Sequence, residues 1–261
     1  MNIKKKSHAA KRKLRRKIKM KISSFLFVLM FIFWGMYHLL QSDLMNLKNI
    51  ALEGNLYTDK NEIIDISGLV VNRNIFKYNL KEIKKNIKSH SYVKDAEIHR
   101  KLPDTIVMRI EERKEYAIIL YMGSYIYIDD ENTVLRVSDS YMADDNILIT
   151  GIDFKNFKIG EKIEAINNDD LSLVMDLLKV ANTTMIYDMI SEINISEKNN
   201  VRIITLDGSE VLLGDAGNPA YLMVALDEMF VNLYTKNIKN VIIDMRYEGY
   251  ISVRDRDTWE D

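Results

Sequence analysis

Ala96-Glu97-Ile98-His99-Arg100-Lys101-Leu102-Pro103-Asp104-Thr105-Ile106-Val107-Met108-Arg109-Ile110 reads as two strands around a turn. Ala96 and Ile98 alternate with polar neighbours up to Lys101-Leu102-Pro103, and Ile106, Met108 and Ile110 then alternate with Val107, Arg109 and Glu111. Upstream, Asn79 can cap a short helix in which Leu80, Ile83 and Ile87 share a face, with Lys81, Lys84, Lys85 and Lys88 on its other sides. A further helix starts at Thr58-Asp59, where Glu62 suits a capping box with Asp59, and Gly68 can close it; Ile63, Ile66, Ile64 and Leu69 make its apolar side. Ile50 and Leu52 alternate into Gly54-Asn55, a short strand ending in a turn. The order strand, helix, helix, strand, strand predicts a small α/β sandwich over 44–114.

Just before this block the chain changes character. Lys4 to Lys21 contain eleven Lys/Arg and no acid, and Ile22 to Leu40 follow without a single Asp, Glu, Lys or Arg. At ~1.5 Å per residue that apolar run makes a helix about 28 Å long, close to the hydrocarbon thickness of a bilayer. It exceeds a typical signal-peptide core and ends in Tyr37-His38-Leu39-Leu40-Gln41 with no small-residue cleavage pattern, so an uncleaved anchor is expected. Trp34 and Tyr37 fall where an aromatic belt would lie. The dense positive flank predicts a cytoplasmic N-terminus and an extracytoplasmic remainder. Lys11, Arg12, Lys13, Arg15, Arg16, Lys17, Lys19 and Lys21 are the expected membrane-surface and topology residues, on an arm spanning 1–21.

Removing the eleven basic residues from a total of 37 leaves 26 against 38 acids, so residues 22–261 carry a net charge of −12. An acidic exterior argues against nucleic acid as partner. Cysteine is absent, which excludes disulfides, thiol catalysis and thiolate metal sites and suits an exported chain.

Beyond 114 the texture turns to strands. Ala117–Tyr121 and Tyr125–Ile128 flank Met122-Gly123-Ser124, and Asp129–Asn132 is a turn before Val134–Val137. A helix over about 170–182 has Leu171, Val174, Leu178 and Ala181 on one face. Ile190–Ile195, Val201–Leu206 and Glu210–Leu213 read as strands. Asn218-Pro219 opens a helix by N-cap and N1 chemistry, with Leu222, Ala225, Leu226, Met229, Phe230 and Leu233 as a core stripe. Val241–Arg246 and Tyr250–Arg254 are two adjacent closing strands, followed by a short charged tail over 255–261.

Catalytic motifs are thin. No phosphate-binding glycine loop, nucleophile elbow or H-E-x-x-H occurs. Ser91-Tyr92-Val93-Lys94 matches S-x-x-K, but K-T-G and S-x-N are lacking and Lys94 should leave on a strand away from Ser91. His99 is expected on a solvated strand face, and Asp129-Asp130-Glu131-Asn132 lacks the Gly and distal Glu of a calcium loop. The expectation is no catalytic residue, no cofactor and no metal.

Together the segments resemble the FtsQ/DivIB family of bacterial cell-division proteins. The residues that carry the resemblance are Ile50-Ala51-Leu52-Glu53-Gly54-Asn55, Thr58 with Glu62-Ile63, Gly68, Asn74-Ile75-Phe76, then Ala96 to Ile106 with Glu111-Glu112, and near the end Ile243-Asp244-Met245-Arg246-Tyr247 with Gly249. Glu115 stands where many members have Pro, a departure expected to be harmless. The resemblance implies an α+β architecture: a single N-terminal transmembrane helix (22–40), a POTRA-like βααββ domain (44–114), and a mixed β-sheet domain flanked by helices (115–254).

It further implies a non-enzymatic divisome scaffold at the septum. Such a protein binds bitopic partners of the FtsL and FtsB/DivIC type, links them to septal peptidoglycan synthesis, and offers further contacts through the POTRA-like domain. The alternatives are a POTRA-containing envelope assembly protein for sporulation or secretion and, last, a membrane-anchored peptidoglycan enzyme.

The residues agree with a binding role, because a last strand with a polar tail should lie at a sheet edge with unpaired N–H and C=O groups. Asp244, Arg246, Tyr247, Tyr250, Ile251, Ser252, Val253 and Arg254 are the candidate partner-binding residues. Either Tyr250, Ser252 and Arg254 or Ile251 and Val253 face outward, with Arg254 favouring the first set. The ordinary reading of Asp244, Arg246 and Tyr247 is a surface ion pair and a packed aromatic.

Overall fold

The computed structural model describes residues 3–141, 146–247 and 249–256, with side chains from Lys17 onward except that of Asn168. By contacts the chain divides into two compact units, Met1–Ile87 with Asp95–Ile110, and Lys88–Lys94 with Glu111–Asp261.

The first unit starts with α1 (Ile3–Gln41), one unbroken helix through both the basic arm and the apolar run. The sequence reading had a boundary at 21/22; the backbone has none, because Lys, Arg, Ala, Leu and Met all favour helix. Its Lys17–Gln41 part is long and apolar enough to cross a bilayer, and 0% of its apolar window is buried in the protein. An apolar surface of that length is suited to lipid, and the chain is anchored by a single pass. Lys17, Lys19 and Lys21 are exposed; Lys11, Arg12, Lys13, Arg15 and Arg16 lie on the α1 backbone, with side chains outside the described set.

After α1 come β1 (Asn49–Glu53), α2 (Lys60–Ser67), α3 (Leu80–Ile87), β2 (Val93–Lys101) and β3 (Thr105–Glu112). The sheet order is β1-β3-β2, with β1 parallel to β3 and Asn49 opposite Thr105. The caps are the expected ones. Asp59 accepts from the N–H groups of Asn61 and Glu62, Gly68 closes α2 in the left-handed region, and the Asn79 side chain accepts from Lys81 N–H. Ile63, Ile83, Ile87, Ile106 and Met108 are buried between helices and sheet. Gly54, at φ +88°, lies so close to Ile110 that a Cβ would come within 2.2 Å of its carbonyl oxygen, so only glycine fits.

The second unit holds β4 (Ala117–Tyr121), β5 (Ser124–Ile128), β6 (Val134–Ser138), β7 (Ile147–Thr150), the short pair β8 (Phe154–Asn156) and β9 (Glu164–Ala165), and α4 (Asn168–Ala181). It continues with β10 (Ile190–Asn194), β11 (Val201–Thr205), β12 (Glu210–Gly214), α5 (Pro219–Thr235), β13 (Val241–Tyr247) and β14 (Tyr250–Asp255). Nine strands form one mixed sheet in the order β14-β13-β12-β11-β10-β7-β4-β5-β6. β7, absent from the sequence reading, sits in its middle and runs parallel to both β4 and β10.

Helices α4 and α5 supply the apolar layer of this unit. Leu171, Val174, Leu178 and Ala181 from α4 join Leu222, Leu226, Phe230 and Leu233 from α5 over Ile193, Ile203, Val211 and Ile243. Asn218 caps α5 by accepting from Tyr221 N–H, with Pro219 in its first turn.

A charged cluster ties the start of this unit. Arg113 pairs with the buried Asp129 and lies 3.3 Å from Glu131, while Lys94 Nζ is 3.0 Å from Glu131 Oε1. Lys94 of the S-x-x-K match therefore serves an ion pair, and its ammonium is held above the usual range by that hydrogen bond. Glu115 also has partners. It accepts from the Tyr92 hydroxyl and, at 2.7 and 3.2 Å, from the Arg136 guanidinium. Burial, then the Glu115 carboxylate, pushes the Tyr92 phenol well above its ordinary pKa.

Candidate partner-binding edge

β13 and β14 form a terminal hairpin turned by Gly249 at φ +75°. Pairing runs from Val241–Asp255 to Asp244–Ser252, then slips so that Tyr247 stands opposite Tyr250. That slip is a β-bulge, a device that bends a strand and re-aims its side chains. The Asp244 carboxylate clamps it, accepting from Arg246 N–H at 3.1 Å and from the Arg246 guanidinium at 2.9 and 2.6 Å. Those guanidinium hydrogen bonds hold the Asp244 carboxyl below the usual carboxylate range. Burial opposes them, and the Arg246 N–H and the charges of Arg246 and Arg254 assist.

β14 is a sheet edge. Among the described residues, no backbone hydrogen bond reaches 250–253 from any element other than β13. Among the described residues, the far-side N–H and C=O groups of 250–253 are therefore open to another strand. Ile251 packs partly on the core and fixes the parity, leaving Ser252 and Arg254 directed away from the helix-covered layer, while Tyr250, beyond the bulge, lines a groove beside α5. Tyr250 and Arg254 are exposed and Ser252 is half-buried, while Val253, on the Ile251 side, is exposed near the strand end. The expected ion pair of Asp244 and Arg246 is present. Tyr247, however, is 67% exposed rather than packed, at the end of β13 beyond the bulge.

Beside this edge opens a groove of about 670 Å³ between the first turn of α5, the end of β12 and the tip of the hairpin. Leu213, Asp215, Tyr221, Tyr247 and Tyr250 line it, and all three tyrosines are at least half exposed. Tyr221, Leu213 and Asp215 escaped the sequence reading. The available signal was Tyr221, an aromatic lying off the apolar stripe of α5. His99 is exposed, and among the described residues no group of three His, Cys, Asp or Glu side chains is placed to hold a metal.

A single membrane-spanning helix, a βααββ module and a nine-stranded mixed sheet ending in an open edge define a class of anchored envelope proteins. Comparison with known proteins gives the class a family. The POTRA domain, FtsQ-type, matches residues 45–113. Cell division protein DivIB of Clostridium acetobutylicum is 30% identical over 213 residues, covering 80% of this chain and 79% of that protein. Its counterpart in Clostridium tetani is 28% identical over 208 residues, covering 80% and 76%. FtsQ of Syntrophotalea carbinolica is 25% identical over 199 residues, covering 76% and 70%. The solved major extracytoplasmic domain of DivIB from Geobacillus stearothermophilus aligns with a TM-score of 0.30 and 12% identity, over 49% of this chain and 99% of that one. The chain belongs to the DivIB/FtsQ family of cell-division proteins.

Proposed function

We propose that this protein is a non-catalytic, single-span scaffold of the division machinery. Its basic N-terminal arm lies in the cytoplasm, its two folded units lie on the other side of the membrane, and it gathers at the septum. There it binds bitopic partners of the FtsL and FtsB/DivIC type and couples them to septal peptidoglycan synthesis. The observation that carries the binding reading is the open edge of β14 beside exposed Tyr247, Tyr250 and Tyr221. A strand added there gains main-chain hydrogen bonds for affinity and register, and the groove takes side chains for specificity.

Two experiments test the reading. A fluorescent fusion should concentrate at mid-cell during constriction, and a uniform envelope signal would contradict a division role. Deleting Gly249–Asp261 should abolish co-purification of the bitopic partners while circular dichroism stays that of a folded chain. Undiminished partner recovery would remove the terminal strand from the interface.

A further inference from the structure

A second groove lies in the first unit, where α1 gives way to the βααββ module. It is about 690 Å³ and is walled on one side by Tyr37 and Leu40 of the last turn of α1, and on the other by Arg73, Phe76 and Lys77, with Asp43 at its rim. The apolar run ends at Gln41-Ser42, so this groove lies at the level of the lipid headgroups.

The wall opposite the span is held in place by the backbone. Leu47 N–H donates to Arg73 O at 2.9 Å, Asn72 N–H donates to Leu47 O at 2.8 Å, and Asn46 bridges to Asn74. Asn74 joins the two walls. Its Oδ1 accepts from Phe76 N–H at 3.0 Å, and its Nδ2 donates to Leu40 O at 2.8 Å, at the open C-terminal end of α1. Ser42 satisfies the neighbouring Leu39 carbonyl through both its N–H and its hydroxyl. With those carbonyls occupied, the charges that face a ligand belong to side chains.

Those charges favour an anion. Arg73 and Lys77 are exposed and have no carboxylate partner among the described residues; Arg73 only overlies the Tyr78 ring, 5.0 Å from its centroid. Beneath them Arg100 donates to the carbonyls of Ile75 and Tyr78 at 3.0 and 2.6 Å, neutral acceptors that leave its positive charge uncancelled. Asp43, steadied by the Asn46 amide at 2.9 Å, is the one acid on the lining. Phe76, 43% exposed, offers an apolar surface at the same level.

We propose that this groove binds the headgroup of an anionic phospholipid of the phosphatidylglycerol type. Arg73 and Lys77 take the phosphate, Asp43 accepts from the glycerol hydroxyls, and the acyl chains run down the exposed face of α1 past Leu40 and Tyr37. Arg and Lys are the residue types suited to a phosphate, Arg by its forked donors and Lys as a point charge. A lipid held there would fix the orientation of the membrane-proximal module against the bilayer. The inference needs only the membrane anchor and is independent of the β14 edge.

The test is native mass spectrometry of the full-length protein in mild detergent, titrated with phosphatidylglycerol or phosphatidylcholine. The wild type should retain phosphatidylglycerol in preference to phosphatidylcholine, and R73A/K77A should weaken that retention roughly thirty-fold, the factor two basic residues supply at a lipid surface. K81A/K85A removes the same charge from exposed positions on α3 and should leave it unchanged. The proposal is overturned if R73A/K77A matches wild type, or if K81A/K85A loses as much, which would mean diffuse attraction. It is also overturned if equimolar glycerol phosphate displaces the lipid, which would mean a soluble phosphate site.

Discussion

The nine-stranded sheet has two edges, and they are finished in opposite ways. At β6 the chain returns to cover its own strand: Val134 N–H donates to Glu161 O at 3.0 Å, Gly160 N–H donates to Val134 O at 2.8 Å, and Thr133 bridges to Lys162. Val134 and Leu135 are 0% and 1% exposed, and the Arg136 guanidinium lies 3.3 Å over the Tyr127 ring while bonded to Glu115. At β14 there is no such return among the described residues, and three tyrosines stand exposed around the tip. An uncovered edge is a liability that proteins ordinarily blunt. Among the described residues, the first edge is strapped at Val134 and the second is not, which is why the proposed binding site is placed on β14.

The largest effect should come from breaking the closed side. Asp129 Oδ1 accepts from the N–H groups of Glu131 and Thr133, shaping the turn into β6, and its side chain is only 1% exposed against Arg113. Arg113→Ala leaves that carboxylate buried and uncompensated, and should cost about 3–5 kcal/mol in denaturant unfolding. It should loosen β6 and leave the β14 ladder intact where the unit still folds. A loss under about 1 kcal/mol would mean water replaces the guanidinium, as at exposed pairs.

Next comes the open side. Replacing Tyr247 and Tyr250 together by Ala should weaken partner binding by at least tenfold, the size expected of exposed aromatic anchors, with little change in unfolding. Arg136→Ala at the closed edge should do the reverse. Equal binding losses from both would erase the distinction between the edges.

The smallest effect concerns pH. The Asp244 carboxyl is depressed below its ordinary value of 3.8, so the stability it contributes is fully present above that value and is lost as pH falls through its lower folded pKa. Amide exchange around the bulge should therefore rise, relative to the rest of β13, as pH drops below about 4. Asp244→Asn should remove that pH dependence; a slope that survives in the variant would assign it to other carboxylates.

How much of this was legible follows the range of each interaction. Caps act within a few residues, so Asp59, Asn79, Asn218 and Gly68 could be read from their neighbours, whereas the close approach of Gly54 to Ile110 could not. Ile147–Thr150 could not. Four residues flanked by sheet on both sides carry too little pattern to separate a strand from a loop, although β7 is central. The contacts of Glu115 were not legible either, because Tyr92 and Arg136 lie 23 and 21 residues away. Nor was the groove, since it needs α5, β12 and the hairpin tip brought to one place.

Hydrogen–deuterium exchange on the protein, with and without the extracytoplasmic segments of the proposed FtsL- and DivIC-type partners, is the decisive measurement. Exchange in Tyr250–Val253 on β14 should slow in the complex, with β6 unchanged. Protection that appears elsewhere and leaves β14 exchanging freely in the complex would contradict binding at this edge.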